Sequence, residues 1–139
     1  MIVIPGNRIV YCDVDSTILD WDSTQEDKEK NGVLFTCPGS MVYDPEDGSE
    51  IGFAGEWSEL LVPNWPQIEQ LKKHRLRHHT VVVWSSGGYD WAETAVRTLK
   101  LEQYVDVVIS KPVWLYDDLQ PSEFMPKARL ITKDKNENS

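Results

Sequence analysis

The hydrophobic positions of this chain fall into short blocks, each stopping abruptly in polar or glycine-rich sequence. Arg8-Ile9-Val10-Tyr11-Cys12 is an apolar run that ends at Asp13-Val14-Asp15-Ser16-Thr17. A buried parallel strand whose C-terminal end opens into a polar loop has this form. Thr80-Val81-Val82-Val83-Trp84 is the clearest strand of the chain and runs into Ser85-Ser86-Gly87-Gly88. Residues 105–109 predict a third strand, closed by Ser110-Lys111-Pro112. Residues 113–116 predict a fourth, closed by Asp117-Asp118. Residues 128–132 predict a short edge strand.

Helical spacing fills the intervals. Asn64 caps a helix over residues 65–73, with Pro66 in its first turn and Trp65, Ile68 and Leu71 on one face. Residues 89–101 predict a second helix, with Ala92, Ala95, Val96 and Leu99 spaced to face a sheet. Residues 20–30 are polar and end at Asn31-Gly32, a turn signal. Residues 33–36, 41–43 and 51–53 predict short strands separated by Pro38-Gly39 and Asp47-Gly48, hence a small hairpin flap over residues 31–56.

Strand, helix, strand, helix, strand predicts an α/β three-layer sandwich: a mainly parallel, Rossmann-like sheet of about five strands plus the β-hairpin flap. Residues 1–132 are expected to form one domain, and the polar tail at 133–139 to fray. In such sheets ligands bind beyond the carboxyl ends of the strands. Asp13 and Asp15, Ser85 and Ser86, Lys111, and Asp117 and Asp118 all fall just past predicted strand ends. One rim is therefore expected to gather carboxylates, hydroxyls and an ammonium.

Composition narrows the use of that rim. The 139 residues are 40% hydrophobic and 27% charged, which excludes wholesale disorder. No apolar run approaches the roughly 20 residues that cross a bilayer. The apolar start Met1-Ile2-Val3-Ile4-Pro5 is short and lacks a basic flank, so a soluble, cytoplasmic chain is expected. Two cysteines, Cys12 and Cys37, have no zinc spacing and suit a reducing compartment. The net charge of −9 argues against a general polyanion binder. The basic run Lys72, Lys73, His74, Arg75, Arg77, His78 and His79 falls before a strand, at the opposite edge of the sheet from the rim, where it offsets a helix dipole.

Crowded carboxylates repel unless a cation sits among them, and Mg²⁺ suits oxygen ligands completed by water and phosphate. With such a cation, an aspartate can attack phosphorus while a second carboxyl protonates the leaving oxygen. Lysine and hydroxyl then stabilise the transferring group.

On these residues the chain resembles the phosphatases of the haloacid dehalogenase superfamily. Asp13-Val14-Asp15-Ser16-Thr17 resembles their first motif, Ser85 the second, Lys111 in Ser110-Lys111-Pro112 the third, and Asp117-Asp118 the fourth. The likeness spans roughly residues 8–120, and residues 63–85 resemble the capless branch acting on phosphoproteins and polynucleotide ends. The resemblance implies Asp13 as nucleophile and Asp15 as general acid and base. Ser85, or by one residue Ser86, would bind phosphoryl oxygens that Lys111 neutralises. Mg²⁺ would be held by Asp13, the Asp15 carbonyl and one of Asp117 and Asp118, with Asp118 in the family's final acidic position. Ser16 departs from the usual glycine, and Lys111 meets the fourth strand without the helix many relatives place between.

The implied activity is Mg²⁺-dependent phosphomonoester hydrolysis through an aspartyl-phosphate. The implied substrate is a polynucleotide end, a phosphoprotein or a small phosphometabolite, with Trp21, Trp57 and Tyr89 available to line the site mouth. A receiver-like phosphoacceptor domain would use similar groups but places its acceptor on a middle strand, whereas here that strand ends in Ser85-Ser86. A catalytically idle phosphate-binding module would lack one of these side chains, and none is missing.

Overall fold

A computed structural model describes residues 8–44, 46–126 and 129–132 of the chain. The expectations for Met1 to Pro5, for Ala128 and for the tail at 133–139 lie outside the described residues.

Three small sheets replace the single five-stranded one expected. Strand β1 (Ile9–Asp13) and two later strands form the parallel sheet. Strand β2 (Leu19–Asp20) is followed by helix α1 (Gln25–Asn31), which Thr24 caps by accepting the Asp27 N–H. Strand β3 (Val33–Cys37) pairs antiparallel with β6 (Trp57–Pro63), and β6 also pairs with β2. Between them β4 (Ser40–Tyr43) and β5 (Glu50–Ala54) form a two-stranded ribbon, so of the flap expected over residues 31–56 the first strand belongs instead with β6. Helix α2 (Trp65–Leu76) leads into β7 (Thr80–Ser85), and α3 (Tyr89–Thr98) into β8 (Val107–Ser110). A short α4 (Pro121–Phe124) follows.

The parallel sheet runs β1-β7-β8, with Asp13 opposite Trp84 and Ser85 opposite Ser110. Successive parallel crossovers that step in one direction place both connecting helices on the same face when each has the usual right hand. Ile68 and Leu71 of α2 and Trp91, Ala92, Ala95 and Val96 of α3 accordingly join Cys12, Val81 and Val83 in one buried core. On the other face Ile9, Tyr11 and Ile109 are exposed, while the central Val82 is buried. The expected three-layer sandwich on a five-stranded sheet is thus replaced by a three-stranded parallel sheet beside two small antiparallel ones. Trp65, expected on the buried face of α2, is also exposed.

The expected fourth strand is absent for a reason of chain length. β8 ends at Ser110, and a parallel return to the same sheet needs a crossover of about a dozen residues. Val113 follows after only Lys111 and Pro112, so residues 113–116 run outside the sheets, with Trp114 81% and Tyr116 96% exposed. Residues 129–132 form no strand either.

Helices α2 and α3 both end in a Schellman arrangement. His79 N–H donates to His74 O and His78 N–H to Arg75 O; Leu101 N–H donates to Val96 O and Lys100 N–H to Arg97 O. His78 and Lys100 hold φ of 64° and 57° where glycine is usual.

Candidate functional site

Adjacent parallel strands β1 and β7 end side by side, and their last residues begin the site. Asp13 closes β1. The chain then turns tightly: the Val14 carbonyl accepts N–H donors from Thr17, Ile18 and Leu19. Val14, Ile18 and Leu19 are buried beneath this turn, which fixes Asp15 above it. Ser16 takes up φ 60°, so the place where the resembled family has glycine is one of left-handed backbone.

Asp15 is the most heavily bonded group of the site. Trp91 Nε1 donates to its Oδ1 at 2.9 Å and its Oδ2 at 3.1 Å, and Trp21 Nε1 donates to Oδ1 at 2.7 Å. Ser85 Oγ donates to Oδ2 at 3.3 Å. Ser85 is fully buried and also accepts the Gly87 N–H at 3.0 Å, whereas Ser86 is exposed. A side chain on Gly87 would collide with Trp91, its Cβ falling 2.9 Å from Cδ1. Glycine there lets the loop lie against the indole that holds Asp15.

Asp13 is half-buried and accepts the Thr17 hydroxyl at 3.3 Å. Burial pushes its carboxyl above the usual range; Lys111 pulls it down, Asp15 pushes it up, and the Val14 N–H and Thr17 hydroxyl favour the ionised form. Lys111 follows β8, its N–H donating to Ser85 O at 2.9 Å and its Nζ lying 5.9 Å from the Trp84 ring centroid. Asp13, Asp15, Ser85 and Lys111 therefore share one sheet edge.

Asp117 and Asp118 do not join them. Both are exposed on the loop after β8, and Asp117 Oδ1 accepts the Leu119 N–H at 3.0 Å. That bond, with one from Asp118, holds the Asp117 carboxyl below its usual range. Their expected place at the rim depended on the fourth strand that the connection length forbids. Among the described residues, no three His, Cys, Asp or Glu side chains gather closely enough to hold a metal by themselves. Mg²⁺ needs only one or two carboxylates when waters and phosphate complete its shell. Asp13, a hard oxygen donor beside a second carboxylate and only partly offset by Lys111, fits that demand.

Two contributors escaped the sequence reading: Thr17 as a partner of Asp13, and Trp91. The flap touches the site loop through Met41 N–H donating to Gly87 O at 2.9 Å. Trp91 stacks among Trp57 at 4.8 Å, Phe35 at 5.7 Å and Trp21 at 6.3 Å between centroids. Its place in the first turn of α3 marks it as a core residue but carries no sign of the bond to Asp15. Cys12, beside the nucleophile candidate, is itself excluded from that role: burial and then the Asp13 charge push its thiol up to about 12.

Comparison with protein-family models, curated proteins and solved structures gives no match. No helix among the described residues is long and apolar enough to cross a membrane.

Proposed function

We propose that this chain is a Mg²⁺-dependent phosphomonoester hydrolase working through an aspartyl-phosphate on Asp13. The observation that carries the reading is the meeting of Asp13, Asp15, Ser85 and Lys111 at one edge of the β1-β7-β8 sheet. Their order along the chain is the one in which the haloacid dehalogenase phosphatases carry their first three motifs.

In the first step an Asp13 carboxylate oxygen attacks phosphorus. The bond from phosphorus to the leaving oxygen breaks, and Asp15, as the carboxylic acid, gives that oxygen its proton. Asp15 then takes a proton from water, whose oxygen attacks phosphorus and releases Asp13 with inorganic phosphate. Lys111 offsets charge on the transferring oxygens. Bound Mg²⁺, held by Asp13 with the Asp15 carbonyl, would let a carboxylate approach a phosphate dianion. The indole donors fix the orientation of Asp15, which is where positional precision matters to proton transfer.

A phosphate-binding module without turnover is the second reading. It is favoured by the four hydrogen bonds already made to Asp15. A colorimetric assay of phosphate release, with Mg²⁺ and with chelator, separates the two. Mg²⁺-dependent turnover supports the hydrolase; binding of phosphate without release supports the module.

A further inference from the structure

Resting on the phosphomonoester reading of the same site, we infer that Trp21 is a stacking platform selecting small phosphomonoesters with a planar aromatic group on the leaving side. Asp15 is gripped by two indoles of opposite exposure. Trp91, at 2% exposed, donates from the core; Trp21, at 37%, donates from the solvent side. With phosphorus at Asp13 and the leaving oxygen at Asp15, Trp21 is the indole that stands beside the leaving group on its solvent side.

The Trp21 ring is already fixed in place. Its Nε1 is tethered to Asp15, and its ring is backed by Trp57 at 5.9 Å and Trp91 at 6.3 Å. Trp57 is in turn held by its Nε1 donating to Ser40 Oγ at 3.0 Å. A ring held this way offers a stacking surface with little ordering cost. The net charge of −9 opposes a polynucleotide and leaves a single phosphate as the tolerable anionic load. A nucleoside monophosphate and an aryl phosphate both present the required π-face.

The test compares a nucleoside 5′-monophosphate with ribose 5-phosphate, which has the same primary leaving oxygen and lacks only the base. Phenyl phosphate and cyclohexyl phosphate form the second pair. Wild-type kcat/KM is expected to favour the aromatic member of one pair by about tenfold, the pair identifying which source of ring is used. Trp21→Leu is expected to erase that preference, and Trp21→Phe, which keeps a ring without the N–H, to retain most of it. In the second pair, intrinsic leaving-group reactivity cancels when each variant's ratio is divided by that of wild type. Equal wild-type efficiencies within the ribose pair, together with no change of either ratio in Trp21→Leu, overturn the platform. If wild type hydrolyses none of the four, the hydrolase reading is what fails. Titration calorimetry of nucleoside monophosphate and phenyl phosphate against ribose 5-phosphate then decides the platform alone: tighter binding of an aromatic ligand supports it, and equal affinity overturns it.

Discussion

Trp91 and Asp15 meet across 76 positions of sequence, the indole Nε1 standing 2.9 Å and 3.1 Å from the two carboxylate oxygens. The contact joins the start of α3 to the turn after β1, so the hydrophobic core and the acidic edge of the sheet share one side chain.

That dual role separates into two measurable parts. Trp91→Phe keeps most of the packing and deletes the N–H, so it is expected to lower unfolding free energy by about 1–3 kcal/mol in urea titrations. Trp91→Ala also removes the ring and is expected to cost about 3–5 kcal/mol. A Phe variant as stable as wild type would mean that the bond to Asp15 contributes nothing to stability.

Lys100 occupies the left-handed position that ends α3. Lys100→Gly is expected to raise stability by about 1 kcal/mol, because glycine adopts this conformation without steric cost. Gly87→Ala should act in the opposite sense, since its Cβ meets Trp91 at 2.9 Å and Ser85 Oγ at 3.3 Å. Thermal melts of the two variants check both signs together.

His74 and His79 face each other at 3.1 Å between Nδ1 atoms, an arrangement needing at least one neutral ring. Burial first, then His79 and Arg77, hold His74 below its usual range. Its contribution to stability is therefore intact above the unfolded value of about 6.5 and is lost as pH falls through the lower folded value. The melting temperature is expected to drop between about pH 7 and about pH 5, and His74→Gln to flatten that slope. An unchanged slope in the variant would assign the dependence to other groups.

The legible parts of the sequence were those dictated by local pattern. The uninterrupted run Thr80 to Trp84, bounded by polar residues and glycines, marks a central strand because only a strand covered by neighbours sustains it; the observed β7 extends it by one residue. Asp13, Asp15, Ser85 and Lys111 followed from the ends of such runs. Residues 113–116 show the limit of the same reasoning. Their composition suits a strand, but the two-residue link from Ser110 cannot cross over, and Asp117 and Asp118 are stranded with them.

Other misses were non-local. Strand β6 pairs back, across the intervening ribbon, with both β3 and the more distant β2, a pairing that no short window contains. The end of α2 was obscured because His78, not glycine, fills the left-handed position after it; the observed helix runs three residues past the expected end at Lys73. The bond from Trp91 to Asp15 had no local signature, since a tryptophan on a helix face reads as core whether or not its N–H has a partner.

The central claim is a covalent bond between phosphorus and Asp13. The most direct measurement is acid quenching of the protein with Mg²⁺ and an activated aryl phosphate, followed by mass mapping of its peptides. The account predicts one phosphoryl group on the Asp13 peptide of wild type, more of it in Asp15→Asn, and none in Asp13→Asn, whose turnover is abolished while its fold persists. A phosphoryl group found elsewhere, or Asp13→Asn activity within about tenfold of wild type, would contradict it.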